Sequence, residues 1–123
     1  MALIRREDIP AVELPTQEVE CQALGGAVLV RGMDLADWMR FAALRRRVEA
    51  PLQDELPEDT AQRIGGEVMP FALHLCVLAE DKRPVYSSAQ WSVWAARHPS
   101  ESMQLFSLAM ELSGHDIDAE KKT

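Results

Sequence analysis

The twelve residues from Val68 to Ala79, Val-Met-Pro-Phe-Ala-Leu-His-Leu-Cys-Val-Leu-Ala, set the strongest limit on what this chain can fold into. At about 100° per residue their apolar side chains point in every direction, with only His74 interrupting, which is the pattern of a helix buried on all sides. The run is too short to cross a bilayer, which takes roughly 20 apolar residues. Glu80 and Asp81 stop it at once, and Pro70 suits its first turn, where a missing N–H has no helical partner to lose. The rest of the chain is expected to wrap around this rod.

A chain of 123 residues with 47% hydrophobic content supports one core and not two. The expected domain therefore spans residues 16–114, between a mobile arm (1–15) containing Pro10 and Pro15 and a polar, flexible tail (115–123). Thirteen basic and 20 acidic residues give a net charge of −7, which argues against a nucleic-acid partner, since phosphates are bound by clustered Lys and Arg. The charged N-terminus lacks the apolar run of a secretory segment, and no stretch predicts a membrane span. Cys21 and Cys76 belong to no metal-binding spacing and read as free thiols of a reducing cytoplasm.

In chain order, Thr16 to Ala23 and Ala27 to Arg31 flank the turn signal Leu24-Gly25-Gly26 and predict a β-hairpin. Val19, Cys21 and Ala23 alternate with Glu18, Glu20 and Gln22, so one face of the first strand is solvated, whereas Ala-Val-Leu-Val in the second is the better covered. Asp34 is placed to cap a helix from Leu35, with Asp37 in its first turn and Leu35, Trp38, Met39 and Ala42 as its apolar positions. Arg45, Arg46 and Arg47 close it, either as a solvated, dipole-favoured end or as a docking patch for an acidic partner. Glu49 to Gly66 reads as a linker-like excursion in which Pro57 begins one or two helical turns ending at Gly65-Gly66.

Beyond the central run, Asp81-Lys82-Arg83-Pro84 predicts a turn and Ser87 or Ser88 a cap for a helix of about Ala89 to Arg97, with Trp91, Trp94, Ala95 and His98 on one face. A last helix opens near Pro99 or Ser100 and stops at Gly114. Its polar residues Gln104, Ser107 and Glu111 fill only about 60° of the wheel. Leu105, Leu108, Ala109 and Leu112 form one apolar stripe and Met103, Phe106 and Met110 a second. The second stripe serves either intramolecular packing or association, and Met adapts well to irregular partners. Met103, Phe106 and Met110, with the aromatic anchors Trp91 and Trp94, are therefore the candidate partner-binding residues. The fold class is α+β: an N-terminal β-hairpin packed on a mainly helical domain of about four helices around a buried central helix.

No catalytic set emerges. His74 and Cys76, two residues apart on a helix, point roughly 160° from each other and cannot share a metal or act together. There is no GxSxG, HExxH, P-loop or GxGxxG. No catalytic residue, cofactor or metal is expected, and His74 reads as a core histidine with a satisfied ring.

The order of a Gly-Gly hairpin, Val-Leu-Val-Arg-Gly with its capped helix (Val28 to Trp38), Leu-Cys-Val-Leu-Ala-Glu-Asp (Leu75 to Asp81), Lys-Arg-Pro-Val-Tyr-Ser (Lys82 to Ser87) and a closing Leu-Ser-Gly (Leu112 to Gly114) resembles the tail assembly chaperones of long-tailed bacteriophages. The resemblance runs from about Glu18 to Glu120 in short motifs. It implies a non-catalytic protein of the host cell cytoplasm, absent from the mature virion, that binds the tape measure protein, keeps it soluble and helps recruit tail tube protein subunits around it. A homo-oligomer that binds neither nucleic acid nor membrane is expected. The alternative is a cytoplasmic helical adaptor or regulatory protein that dimerises through its C-terminal helices. A tape measure frame immediately downstream in the gene order would favour the chaperone.

Overall fold

A computed structural model describes residues 2–10, 13–50 and 56–114. The expected tail, 115–123, and part of the excursion, 51–55, lie outside the described residues. Of the expected arm, residues 2–10 and 13–15 are exposed and irregular apart from one 3-10 turn at Arg6–Asp8.

The hairpin forms where the sequence places it, except that Gln22 and Ala23, expected in the first strand, lie in the connecting turn. Strand β1 (Thr16–Cys21) pairs antiparallel with β2 (Gly26–Arg31), in a register running from Thr16 opposite Arg31 to Cys21 opposite Gly26. A 3-10 turn, Gln22–Leu24, joins them through Gly25, whose φ of 88° is a conformation that a Cβ disfavours. Because strand side chains alternate, Val19 and Cys21 share a face with Val28 and Val30, and that face is the one buried. Glu18 and Glu20 point the other way and are exposed.

Helix α1 (Leu35–Glu49) starts where Asp34 caps it, the Asp34 carboxylate accepting from the Asp37 N–H at 2.7 Å. Its inward face differs from the predicted one. Leu35 and Met39 are 75% and 56% exposed, while Asp37, Phe41, Leu44 and Val48 turn inward. Burying Asp37 becomes possible because two guanidinium groups meet it, as described below, and Trp38 still covers Phe41 at 5.5 Å between ring centroids.

The central helix is longer at one end and shorter at the other than the sequence suggests. Helix α2 spans Pro57–Cys76, so Pro57 is its first residue while Gly65-Gly66 and Pro70 lie in its interior. The glycines do not stop it, because packing of the following turns outweighs a propensity cost of about 1 kcal/mol per glycine. Pro70 removes one helical N–H donor, that of the bond to the Gly66 carbonyl. Val68, Ala72, Leu73 and Cys76 are buried against α1, β2 and the later helices. Met69, Phe71 and His74 keep some exposure, so the rod is covered on most of its surface rather than all of it.

Val77 and Leu78, predicted as helical, instead form β3, which pairs antiparallel with β2 through Leu29 opposite Leu78 and Val30 opposite Val77. The sheet is therefore three-stranded, in the order β1-β2-β3. Beyond β3 the chain reverses through Lys82 at φ 63° and returns with an isolated bridge between Leu78 and Pro84.

Helix α3 (Ser88–Arg97) begins with a reciprocal cap in which Ser87 Oγ accepts from the Gln90 N–H and Gln90 Oε1 accepts from the Ser87 N–H. Helix α4 (Pro99–Leu112) follows with Pro99 at its first position, and Gly114 ends it at φ 92°. Its last turn seats against the neck after β2. A Cβ on Gly32 would stand 2.4 Å from the Leu112 carbonyl oxygen, so no other residue fits there, and the Met33 N–H donates to Ser113 Oγ at 2.9 Å. The architecture is α+β, with the hairpin packed on four helices and α2 in the middle. Among the described residues no helix is long and apolar enough to cross a membrane.

Candidate partner-binding surface

Two concave regions carry side chains with chemistry. The first, about 760 Å³, opens on the outer face of the sheet, where Leu29 and Leu78 form its floor and the N-terminus of α1 and the end of α2 form a wall. Asp37 there is only 6% exposed and is held by Arg31 at 2.8 Å and by Arg40 one turn along α1. Arg31 also donates from Nε to the Leu75 carbonyl at 3.1 Å, which ties β2 to one of the unpartnered carbonyls at the end of α2. Both carboxylate oxygens are thereby occupied, so Asp37 holds α1 to β2, and Arg31 extends the latch to α2. Removing Arg31 would leave a nearly buried carboxylate with only the exposed Arg40 beside it, at a cost of about 1–3 kcal/mol.

His74, at the same rim, places Nδ1 3.0 Å from the Tyr86 carbonyl oxygen. A carbonyl only accepts, so the proton sits on Nδ1 and the ring is satisfied as the sequence suggested. Cys76 lies beneath, and burial pushes its thiol up to about 12, the Arg31 charge opposing that rise and the Asp37 charge adding to it. A thiol so held is protonated at neutral pH and a poor nucleophile. Cys21 and Cys76 are both buried and unbridged. Among the described residues no group of three or more His, Cys, Asp and Glu could hold a metal ion.

The second region, about 510 Å³, is an apolar groove along the outside of α3, lined by Tyr86, Ala89, Gln90, Val93, Trp94 and Arg97. It contains one predicted partner-binding residue, Trp94, which is half-buried, stacks on His98 at 4.7 Å and meets Trp91 edge-on at 5.3 Å. Met103 is also available, at 51% exposure.

Of the other three candidates, Trp91 and Met110 are corrected by their burial and Phe106 is less accessible than Met103. Trp91 is 0% exposed, its indole enclosed by Tyr86 and Trp94, and Met110 is 4% exposed in the core. Phe106 is partly buried and packs on that core. The second stripe of α4 thus runs from exposed Met103 through half-covered Phe106 to buried Met110, since α4 lies against α2, α3 and β2 and needs cover on more than one side. The groove adds residues that the sequence reading passed over. Ala89, Val93 and Arg97 recur every four residues on α3, and Val93, 67% exposed, is the apolar member that this spacing puts outside.

The chain matches no family model, no curated protein and no solved structure.

Proposed function

We propose that the protein is a non-catalytic tail assembly chaperone that binds a tape measure protein in the host cell cytoplasm, keeps it soluble and helps recruit tail tube subunits, without entering the virion. The observation that carries the reading is the α3 groove, where Val93 and Trp94 present apolar surface beside the cation of Arg97. Such a groove suits the apolar stripe of an amphipathic helix, and a tape measure chain is a long helix whose stripes aggregate unless covered. The net charge of −7 would keep a coated filament dispersed. The motifs from Val28 to Gly114 supply the family resemblance.

Co-expression with the tape measure protein of the same gene cluster tests the proposal. The wild-type chain is expected to keep that protein soluble and to co-purify with it, and Ala89→Asp with Val93→Asp, both exposed groove positions, is expected to abolish co-purification while the helical circular dichroism stays unchanged. A tape measure protein equally soluble and equally captured with the double variant would overturn the groove assignment. The adaptor reading is favoured by the exposed Met103 on α4. It would prevail if the chain bound no tape measure protein and Met103→Asp dissociated a dimer.

A further inference from the structure

The two edges of the sheet are finished differently. At β3 the edge is two residues long and is closed by the bridge from Leu78 to Pro84. At β1 it is six residues long, with no strand beside it among the described residues. The Gly32 N–H donates to the Pro15 carbonyl at 2.8 Å, which fixes the alternation of the ladder. Residues 15, 17, 19 and 21 turn their backbone polar groups toward β2, so Thr16, Glu18 and Glu20 turn theirs away. Under this edge lies a groove of about 320 Å³ between β1 and α4, with Val19, Leu105 and Leu108 at its base and Glu20 and Glu101 at its rim. An unpaired strand edge over a slot with an apolar base and a polar, acidic rim is a template for an added strand, which supplies backbone hydrogen bonds while alternate side chains fill the slot.

The occupant's chemistry follows from what stands there. One face of an added strand would meet Glu18 and Glu20, both exposed, and the other would meet the slot, so a segment carrying apolar and basic side chains fits and a second β1 does not. The chain contains such a segment. Leu3 and Ile4 are 93% and 68% exposed, followed by Arg5 and Arg6, and the backbone at Arg5 is already extended at φ −81° and ψ 146°. Glu13 and Leu14 lie along the outer-face cleft with Leu78 and Pro84, on the face of the sheet opposite the slot.

We infer that Ala2–Arg6 of one protomer adds as a fourth strand to β1 of a second copy, with Arg6 leaving the 3-10 turn that it opens in the single chain. Leu3 enters the slot over Val19 and Leu108, Arg5 follows on that face near the Glu101 rim, and Arg6 on the other face meets Glu18 and Glu20. The charge match is between protomers, and the association stands whatever the α3 groove binds.

Sedimentation velocity over a range of concentrations, with amide hydrogen exchange, tests the arm exchange. The wild-type chain is expected to self-associate, with concentration-dependent protection of the Thr16, Glu18 and Glu20 amides. Glu18→Arg with Glu20→Arg, and separately Arg5→Glu with Arg6→Glu, change only exposed side chains, so both variants should fold. Each alone is expected to be monomeric, because arm and edge then carry the same sign. Mixed one to one they are expected to associate again, since each variant's arm is opposite in charge to the other's edge. A wild-type chain that stays monomeric, protection independent of concentration, association that survives either reversal, or a mixture that fails to reassociate would each overturn the inference.

Discussion

Residues 57–66 of α2 carry Glu58, Asp59, Arg63 and two adjacent glycines and lie mostly at the surface, whereas residues 67–76 send Val68, Ala72, Leu73 and Cys76 into the core. The first half is stabilised at its start and through Arg63. Pro57 presets the first turn, Glu58 and Asp59 suit the positive end of the helix dipole, and the Arg63 guanidinium donates to the Val48 and Ala50 carbonyls at the exit of α1. The second half is stabilised by burial on several sides. One continuous helix can thus hold a well-packed segment and a weakly formed one, the first extending the second by cooperativity.

The contrast should be sharpest for a charge placed in each half. Leu75→Asp puts a carboxylate where Leu75 is 8% exposed, beside the Arg31–Asp37 latch, and should cost several kcal/mol and abolish the cooperative unfolding transition. Gln62→Asp, on the exposed half, should change stability by no more than about 0.5 kcal/mol. Equal effects by urea denaturation would erase the distinction between the halves.

Cys76 reads the same packing through pH. Its thiol is raised to about 12 in the folded chain, so below the ordinary thiol range both states are protonated and the contribution to stability is constant. Above that range the unfolded state loses its proton while the folded one keeps it, so unfolding becomes easier as pH climbs toward 12. Urea midpoints should fall across this window by less in Cys76→Ala than in the parent. In the native state at pH 8 the thiol should resist alkylation until the chain unfolds.

A modest gain is available in the exposed half. A Cβ on Gly66 would meet nothing within 4 Å, and its φ is not left-handed, so Gly66→Ala should raise stability by about 0.5–1 kcal/mol. A loss in thermal denaturation would show that the chain uses Gly66 to accommodate the ring of Pro70 one turn later.

What could be read in advance follows local chemistry. The Gly25 turn, the Asp34 cap, the serine cap of α3, Pro99 and Gly114 each act over a few residues, and the elements they bound lie close to where the sequence indicates, though Gln90's reciprocal bond to Ser87 was not foreseen. Gly65-Gly66 misled because a tertiary contact decides whether a weak helical segment continues. Val77-Leu78 became a strand because β2 offered a partner, which no neighbouring residue announces. The inward face of α1 was hidden because a paired Asp37 can be buried and an unpaired Met39 left outside. Among the surface candidates, Trp and Met identities located apolar bulk but not its direction, so Trp91 and Met110 went to the core while Val93, marked only by its spacing, went to the groove.

The junction of Gly32 with the end of α4 has a consequence for the nascent chain. The Met33 amide finds its acceptor 80 positions later, at Ser113, and the space beside Gly32 is filled by the Leu112 carbonyl. While the chain is emerging from the ribosome, hairpin and α1 are available early, but this neck has no partner until nearly every described residue has been translated. The longest-range closure therefore comes last, and it carries the entropy of a large loop. A chain interrupted before α4 would leave the sheet open along that side, with Val28 and Val30 uncovered and available to other unfinished chains.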